Sequence, residues 1–219
     1  MTKRCAIFDL DGTLLDTVDD LANAVNTALS EHGFPIHPRE KYFYFVGKGA
    51  RNLIRRALPE GVDDATYQAV YDRYTAVYEE NWNVCTKPYP GIPEMIAKLQ
   101  ADGIRMAVVS NKPDDRTKAA ISHYFPDTFD VVFGGRDQVP LKPNPAAVEE
   151  ALSLLGCQAE EAVYIGDTSV DIETGHNAGI FTAGVLWGFR TAEELSAAGA
   201  DVLCRDTEEL YDVIKKESL

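Results

Sequence analysis

Short apolar runs recur through the second half of the chain: IRMAVVS (104–110), FDVVFGG (129–135), EAVYIGD (161–167), TAGVLWG (182–188) and DVLC (201–204). Each is bounded by Gly, Asp or Pro, the pattern of strands buried on both faces. Between them lie GIPEMIAKLQADG, DDRTKAAISHYF, NPAAVEEALSLLG and DIETGHNAG. The third sets Ala147, Val148, Ala151, Leu152 and Leu155 on one face and closes on Gly156, which predicts a helix with a glycine just past its end. Strand alternating with helix predicts an α/β fold, a Rossmann-like parallel sheet with helices on both faces.

One more strand is predicted early, in RCAIFD (4–9), and the segment after it breaks the alternation. From about Thr17 to Trp82 every pattern is helical. TVDDLANAVNTALSEHG aligns Val18, Leu21, Ala22, Val25 and Leu29; GARNLIRRAL groups Leu53, Ile54, Ala57 and Leu58; DDATYQAVYDRYTAVYEENW aligns Tyr67, Val70, Tyr71, Tyr74 and Tyr78. The tyrosine stripe reads as helix–helix packing. The expected organisation is a core made of residues 1–16 and 86–219 with an α-helical domain, residues 17–85, inserted after the first strand; PYPG (88–91) marks the return.

The chain has 219 residues, 45% of them hydrophobic, enough to bury a core of this size with a smaller companion. Its net charge of -14 argues against nucleic acid and anionic membranes as partners, and makes any local group of Lys and Arg more notable. No apolar run approaches the ~20 residues of a membrane helix, and MTKRCAIFDLDG does not read as a signal peptide, so a cytoplasmic protein is expected. A monomer and a homodimer are equally compatible with the sequence. Cys5, Cys85, Cys157 and Cys204 form no ligand or redox motif and are expected as separate thiols.

The candidate chemistry sits at strand ends. The first strand finishes on Asp9 and Asp11, like charges with only Leu10 between them, followed by Gly12 and Thr13. In an open parallel sheet, ligands bind beyond the carboxyl ends of strands near the switch in strand order. Ser110 and Asn111 follow a second strand, Lys142 lies in the loop PLKPNP, and Asp167 and Asp171 follow VYIG. If these strands are neighbours, the groups converge. Several carboxylates at one point call for a cation, and oxygen ligands without His or Cys suit a hard ion, Mg²⁺ being the usual one. Asp167 would bind it directly, with Asp171 on the same helical face holding a bound water. Lys142, Ser110 and Asn111 offer the donors and positive charge that a phosphate needs. A metal and a phosphate beside two aspartates suggest covalent phosphoryl transfer, with one carboxylate attacking phosphorus and a second moving the proton.

In this order and spacing, DLDGT (9–13), SN (110–111), KP (142–143) and GDTSVD (166–171) resemble the haloacid dehalogenase superfamily, and the likeness covers essentially the whole chain. The helical insertion resembles that family's α-helical cap of type C1. The resemblance implies Asp9 as nucleophile and metal ligand. It implies Asp11 as general acid/base, with its backbone carbonyl on Mg²⁺. Thr13 and Ser110 would contact the phosphoryl group with the Asn111 backbone beside them, and Lys142 would stabilise the pentacoordinate state. Asp167 would be the third metal ligand and Asp171 its support. Asp11 is absent from the family's dehalogenases and is alanine in its phosphonate hydrolases, while the phosphomutases of this cap type usually carry DGV, so DGT tilts towards a phosphatase. FVGKGARNLIRRAL (45–58), LKPNPAAVEEAL (141–152) and IGDTSVDIETGHNAG (165–179) resemble the phosphoglycolate phosphatases, and the first stretch would set specificity by presenting Lys48 and Arg51 to a substrate carboxylate. The implied activity is Mg²⁺-dependent hydrolysis of a small phosphorylated metabolite, 2-phosphoglycolate. The alternatives are a phosphatase or phosphomutase for sugar phosphates, nucleotides or pyrophosphate, and a non-catalytic, receiver-like phospho-aspartate domain.

Overall fold

The computed structural model describes residues 3–215. The chain enters through β1 (Cys5–Phe8), turns into the two-residue β2 (Leu15–Asp16), and passes four helices, α1 (Val18–Glu31), α2 (Arg39–Phe45), α3 (Ala50–Ala57) and α4 (Asp64–Asn81). It returns through β3 (Lys87–Pro88), which pairs antiparallel with β2 and so ties the two passages between sheet and helices together. From there α5 (Ile92–Ala101), β4 (Arg105–Pro113), α6 (Asp114–Tyr124), β5 (Val131–Gly135), α7 (Ala146–Leu155), β6 (Ala162–Gly166), α8 (Ser169–Asn177), β7 (Phe181–Val185), α9 (Ala192–Ala197), β8 (Val202–Cys204) and α10 (Thr207–Lys215) alternate.

The six other strands form one parallel sheet in the order β5-β4-β1-β6-β7-β8. The alternation of side chains along β1 assigns its residues to two layers. Ala6 and Phe8 pack with Ile92, Ile96 and Leu99 of α5 and with Leu210 and Ile214 of α10. Cys5 and Ile7 pack on the other face with Val148, Ala151 and Leu152 of α7. Because β4 and β6 flank β1 on opposite sides, the chain reverses direction across the sheet at β1. That reversal opens a crevice at the C-terminal ends of these three strands.

The four helices between β2 and β3 bury a separate cluster, in which Val18, Val25 and Leu29 of α1 meet Leu53 and Ile54 of α3 and Tyr67, Val70, Tyr74 and Tyr78 of α4. Asp63 caps α4 by accepting from the Thr66 N–H. Phe189, in the loop after β7, also joins this cluster and stacks on Phe43 at 5.7 Å. It therefore pins the helices to the sheet.

Helices α2, α9 and α10 are not expected from the pattern. α2 and α9 each bury one residue, Tyr42 and Leu195, which leaves no periodic stripe to read. A second correction concerns the cysteines. Cys5 and Cys157 are joined as a disulfide, with Cα atoms 6.6 Å apart, whereas Cys85 and Cys204 are free. Sheet topology sets β1 beside the turn after α7, a proximity that a separation of 152 residues hides. Among the described residues no helix is long and apolar enough to cross a membrane.

Candidate active site

Loops leaving the C-terminal ends of β4, β1 and β6 meet over the middle of the sheet. β1 delivers Asp9 and Asp11, β4 carries Ser110, Asn111 and Lys112, and β6 leads to Asp167 and to Asp171 in the first turn of α8. The loop before α7 brings Lys142, whose Nζ lies 2.9 Å from Asp9 Oδ1 and 2.7 Å from Asp171 Oδ1. Asp9, Asp167 and Asp171 each present an oxygen within 4.8 Å of the other two. All four side chains are buried.

Carboxylates this close and this dry resist ionisation. Burial, and then the Asp171 charge, push Asp9 up to about 7 against the opposing pull of Lys142. Asp167 is raised well above the usual carboxylate range by burial, then by Asp171 and Asp9. Lys142 is held above its ordinary value: burial works against the ammonium, but Asp171 and Asp9 more than offset it.

One lysine does not balance three carboxylates. Asp9 Oδ1 lies beside Lys142 yet accepts no hydrogen bond of good geometry, and it remains a buried oxygen without a hydrogen-bond partner. An all-oxygen set of three buried carboxylates against one lysine fits a hard divalent cation. Glycines make room for the carboxylates. A Cβ on Gly12, at φ +90, or on Gly188 would strike Asp167, and one on Gly166 would strike Asp171. Gly188→Ala is therefore expected to displace Asp167 at a cost of about 1–3 kcal/mol, as overpacking does. A thermal melt should show the loss, and the stabilisation gained from added Mg²⁺ should shrink with it.

Other expected site residues are placed differently from one another. Asp171 Oδ2 accepts from the Thr168 N–H and hydroxyl, so the start of α8 locks its carboxylate in place. Thr13, expected to contact a phosphoryl group, donates its hydroxyl to Asp167 Oδ1 at 3.1 Å. The Asn111 side chain accepts from the Lys142 N–H at 2.8 Å and donates to the Lys142 carbonyl at 3.1 Å. It thereby fixes the loop from which the lysine reaches in. Ser110 Oγ accepts from the Lys112 N–H at 3.3 Å.

A cavity of about 240 Å³ opens beside Asp9 and Asp11 and is closed over by α3 and α4. Lys48 and Arg51, expected to meet a substrate carboxylate, are not among the residues that line it, although their neighbours Gly47, Gly49 and Ala50 are. Both are exposed, and Arg51 lies over the Tyr71 ring at 4.6 Å and reaches Gln68. α3 turns Ala50 and Leu53 towards the cavity, while Arg51 packs on Tyr71, itself a wall residue. The cations on the wall are Lys112 and Arg116, neither of which stands out from sequence alone. Lys112 Nζ lies 3.1 Å from Asp11 Oδ1 and 2.7 Å from the Tyr78 hydroxyl. It does leave a signal: a lysine directly after SN, at the end of a buried strand in a very acidic chain.

The model of the haloacid dehalogenase-like hydrolases matches residues 6–185, which include all the groups gathered here except Phe189 and Gly188. The chain belongs to that family. It is therefore an enzyme, and the receiver-like alternative is set aside. This hydrolase is 37% identical over 187 residues to the phosphoglycolate phosphatase of Aquifex aeolicus, covering 85% of this chain and 86% of the relative. It is 32% identical over 229 residues to that of Psychrobacter arcticus, covering 99% and 97%. A crystal structure of a predicted phosphoglycolate phosphatase from Haemophilus somnus superposes with a TM-score of 0.91 at 25% identity, over 97% of this chain and 98% of that one.

Proposed function

We propose that this hydrolase is a divalent-cation-dependent phosphomonoesterase whose substrate is 2-phosphoglycolate. The observation that carries the reading is buried Asp9 on the cavity wall, paired with Lys142 and grouped with Asp167 and Asp171. The substrate rests on the relatives, which bear the name phosphoglycolate phosphatase.

In this reading an Asp9 oxygen attacks phosphorus while the bond to the ester oxygen breaks, giving an aspartyl-phosphate and glycolate. Asp11 donates its proton to the departing oxygen. It then takes a proton from a water that attacks phosphorus and releases phosphate, which restores Asp9. Lys142, the Ser110 hydroxyl and the Asn111 backbone neutralise and hold the phosphoryl oxygens as charge redistributes. Thr13 acts one step back, by holding Asp167. Asp9, Asp167 and the Asp11 carbonyl would hold Mg²⁺ with Asp171 in support, and the ion supplies the charge that lets an anion approach an anion.

Assays of phosphate release from a panel of phosphorylated metabolites, with Mg²⁺ and with chelator, test the proposal. The expected result is the highest kcat/KM on 2-phosphoglycolate and none with chelator. Isomerisation of a hexose phosphate in place of phosphate release would make the enzyme a mutase. A second expectation concerns pH. A carboxyl raised from 3.8 to about 7, as Asp9 is, contributes stability that is full below 3.8 and lost as pH rises to about 7. The metal-free protein therefore carries its greatest charge strain above neutrality. Saturating Mg²⁺ should raise Tm by several degrees at about pH 8 and by less at about pH 5.5, where protons compete for the same oxygens. Equal shifts at the two pH values would count against a site built on these carboxylates.

A further inference from the structure

Lys112 is a buried cation on the cavity wall that the mechanism above leaves without a task. Its Nζ donates to both Asp11 oxygens, at 3.1 and 3.3 Å, and to the Tyr78 hydroxyl at 2.7 Å. Tyr78 belongs to α4, so the contact bridges the sheet and the inserted helices across the cavity. A tyrosine hydroxyl both accepts and donates. Tyr78 accepts from Lys112, and among the described residues its own O–H meets no acceptor. An ammonium carries three donors, and here the carboxylate of Asp11 shares it at the long end of the range. Two adjacent buried donors, one of them charged, thus lie on the wall of the same cavity as the phosphoryl site. Burial works against the Lys112 ammonium, but Asp11, then Tyr78 and Tyr74, outweigh it and hold the group above its ordinary value, so it is charged. Burial raises Tyr78, so it stays a neutral donor.

The other cation on the wall faces two carboxylates of its own. Arg116 is held by Glu79 at 2.7 Å and Asp115 at 3.2 Å. The wall also carries apolar and aromatic side chains, Leu21, Leu53, Tyr71 and Tyr74. An anionic group entering beside these rings finds its donors at one place. A carboxylate has two oxygens to offer to two donors, and charge-assisted bonds of this kind are the strong ones.

We infer that Lys112 and Tyr78 together receive a second anionic group on the substrate, a carboxylate adjoining the phosphate ester, and so set a preference for small phosphorylated acids over neutral phosphate esters. The inference rests on the phosphomonoesterase reading and adds the residues that choose the substrate. They are specificity residues: a site built to bond a substrate group rejects analogues that lack it, because the Tyr78 hydroxyl is then left without an acceptor and Lys112 gains no second anion.

The test compares kcat/KM for 2-phosphoglycolate and for ethyl phosphate, in which a methyl group replaces the carboxylate, in the wild type, Tyr78→Phe and Lys112→Met with the same Mg²⁺. The wild type is expected to favour the acid by about 100-fold or more. Tyr78→Phe, which keeps the ring stacked on Tyr74 at 5.7 Å, should narrow that ratio by about 10-fold. Lys112→Met should narrow it by about 100-fold. Both esters losing activity equally in both variants would mean that Lys112 only holds Asp11, and would overturn the inference. So would a wild type indifferent to the carboxylate. A wild type that works best on some other anionic ester would refute 2-phosphoglycolate as substrate, and the same ratio on that ester and its neutral analogue would still judge Lys112 and Tyr78. A wild type that hydrolyses no phosphomonoester refutes both readings. If Lys112→Met does not fold, Tyr78→Phe alone decides.

Discussion

Asp9→Asn is expected to abolish turnover, lowering phosphate release from 2-phosphoglycolate by at least about 10⁴-fold, the scale seen when a nucleophile is removed. The amide keeps the shape of the carboxylate but is a poor nucleophile. The loss should not come from unfolding. Asp9 is one of three buried carboxylates facing a single lysine, and its carboxyl is already pushed up to about 7 in the absence of metal. Replacing it removes a repulsion from that group. The metal-free variant is therefore expected to melt no lower than the wild type, the usual mark of a residue kept for chemistry at a cost in stability. Steady-state kinetics and a thermal melt on the same sample, checked by mass for deamidation, give both readings. Substantial activity in an Asp9→Asn chain of the correct mass would assign the attack on phosphorus to another group.

Lys142→Met should damage fold and activity together. Its Nζ touches Asp9 and Asp171, and both the ammonium and the Asp171 carboxylate are almost wholly shielded from water, at 2% and 0% side-chain exposure. Removing one partner of a buried ion pair leaves an uncompensated charge and costs about 3–5 kcal/mol. For a chain of this size that corresponds to a fall in Tm of about 6–20 °C. The deficit should shrink towards about pH 5, because Asp9, raised to about 7, then takes up a proton and stands in for the missing cation. Turnover should drop by about 10³-fold, since the cation proposed to steady the phosphoryl oxygens is gone. Calorimetry of the two proteins across that pH range checks the prediction. A variant melting like the wild type at about pH 7.5 would mean that the lysine carries little of the site's charge balance.

The sheet is legible from sequence because its strands are buried on both faces and so read as unbroken apolar runs. The gathering of Asp9, Ser110, Asn111, Lys142, Asp167 and Asp171 is legible for a related reason. Polar groups placed directly after such runs have nowhere to lie except at the strand ends, and parallel neighbours put those ends together. Three features escape. Arg51 shares a helix with the lining residues Ala50 and Leu53, but a charge pattern does not say which face of that helix meets the cavity. Tyr78 stands out for its ring, which does pack on Tyr74, and not for the hydroxyl that meets Lys112. Cys5 and Cys157 look separate because nothing local links them.

Periodicity and strand-end chemistry are properties of neighbouring residues, so the amino-acid order alone established the alternating architecture and the acidic cluster. Which cation faces the cavity, where Thr13 spends its hydroxyl and which thiols meet depend on distances between segments far apart in the chain. Those distances arise only when the inserted helices pack against the sheet, as when Lys112 of β4 meets Tyr78 of α4, and no local pattern encodes them.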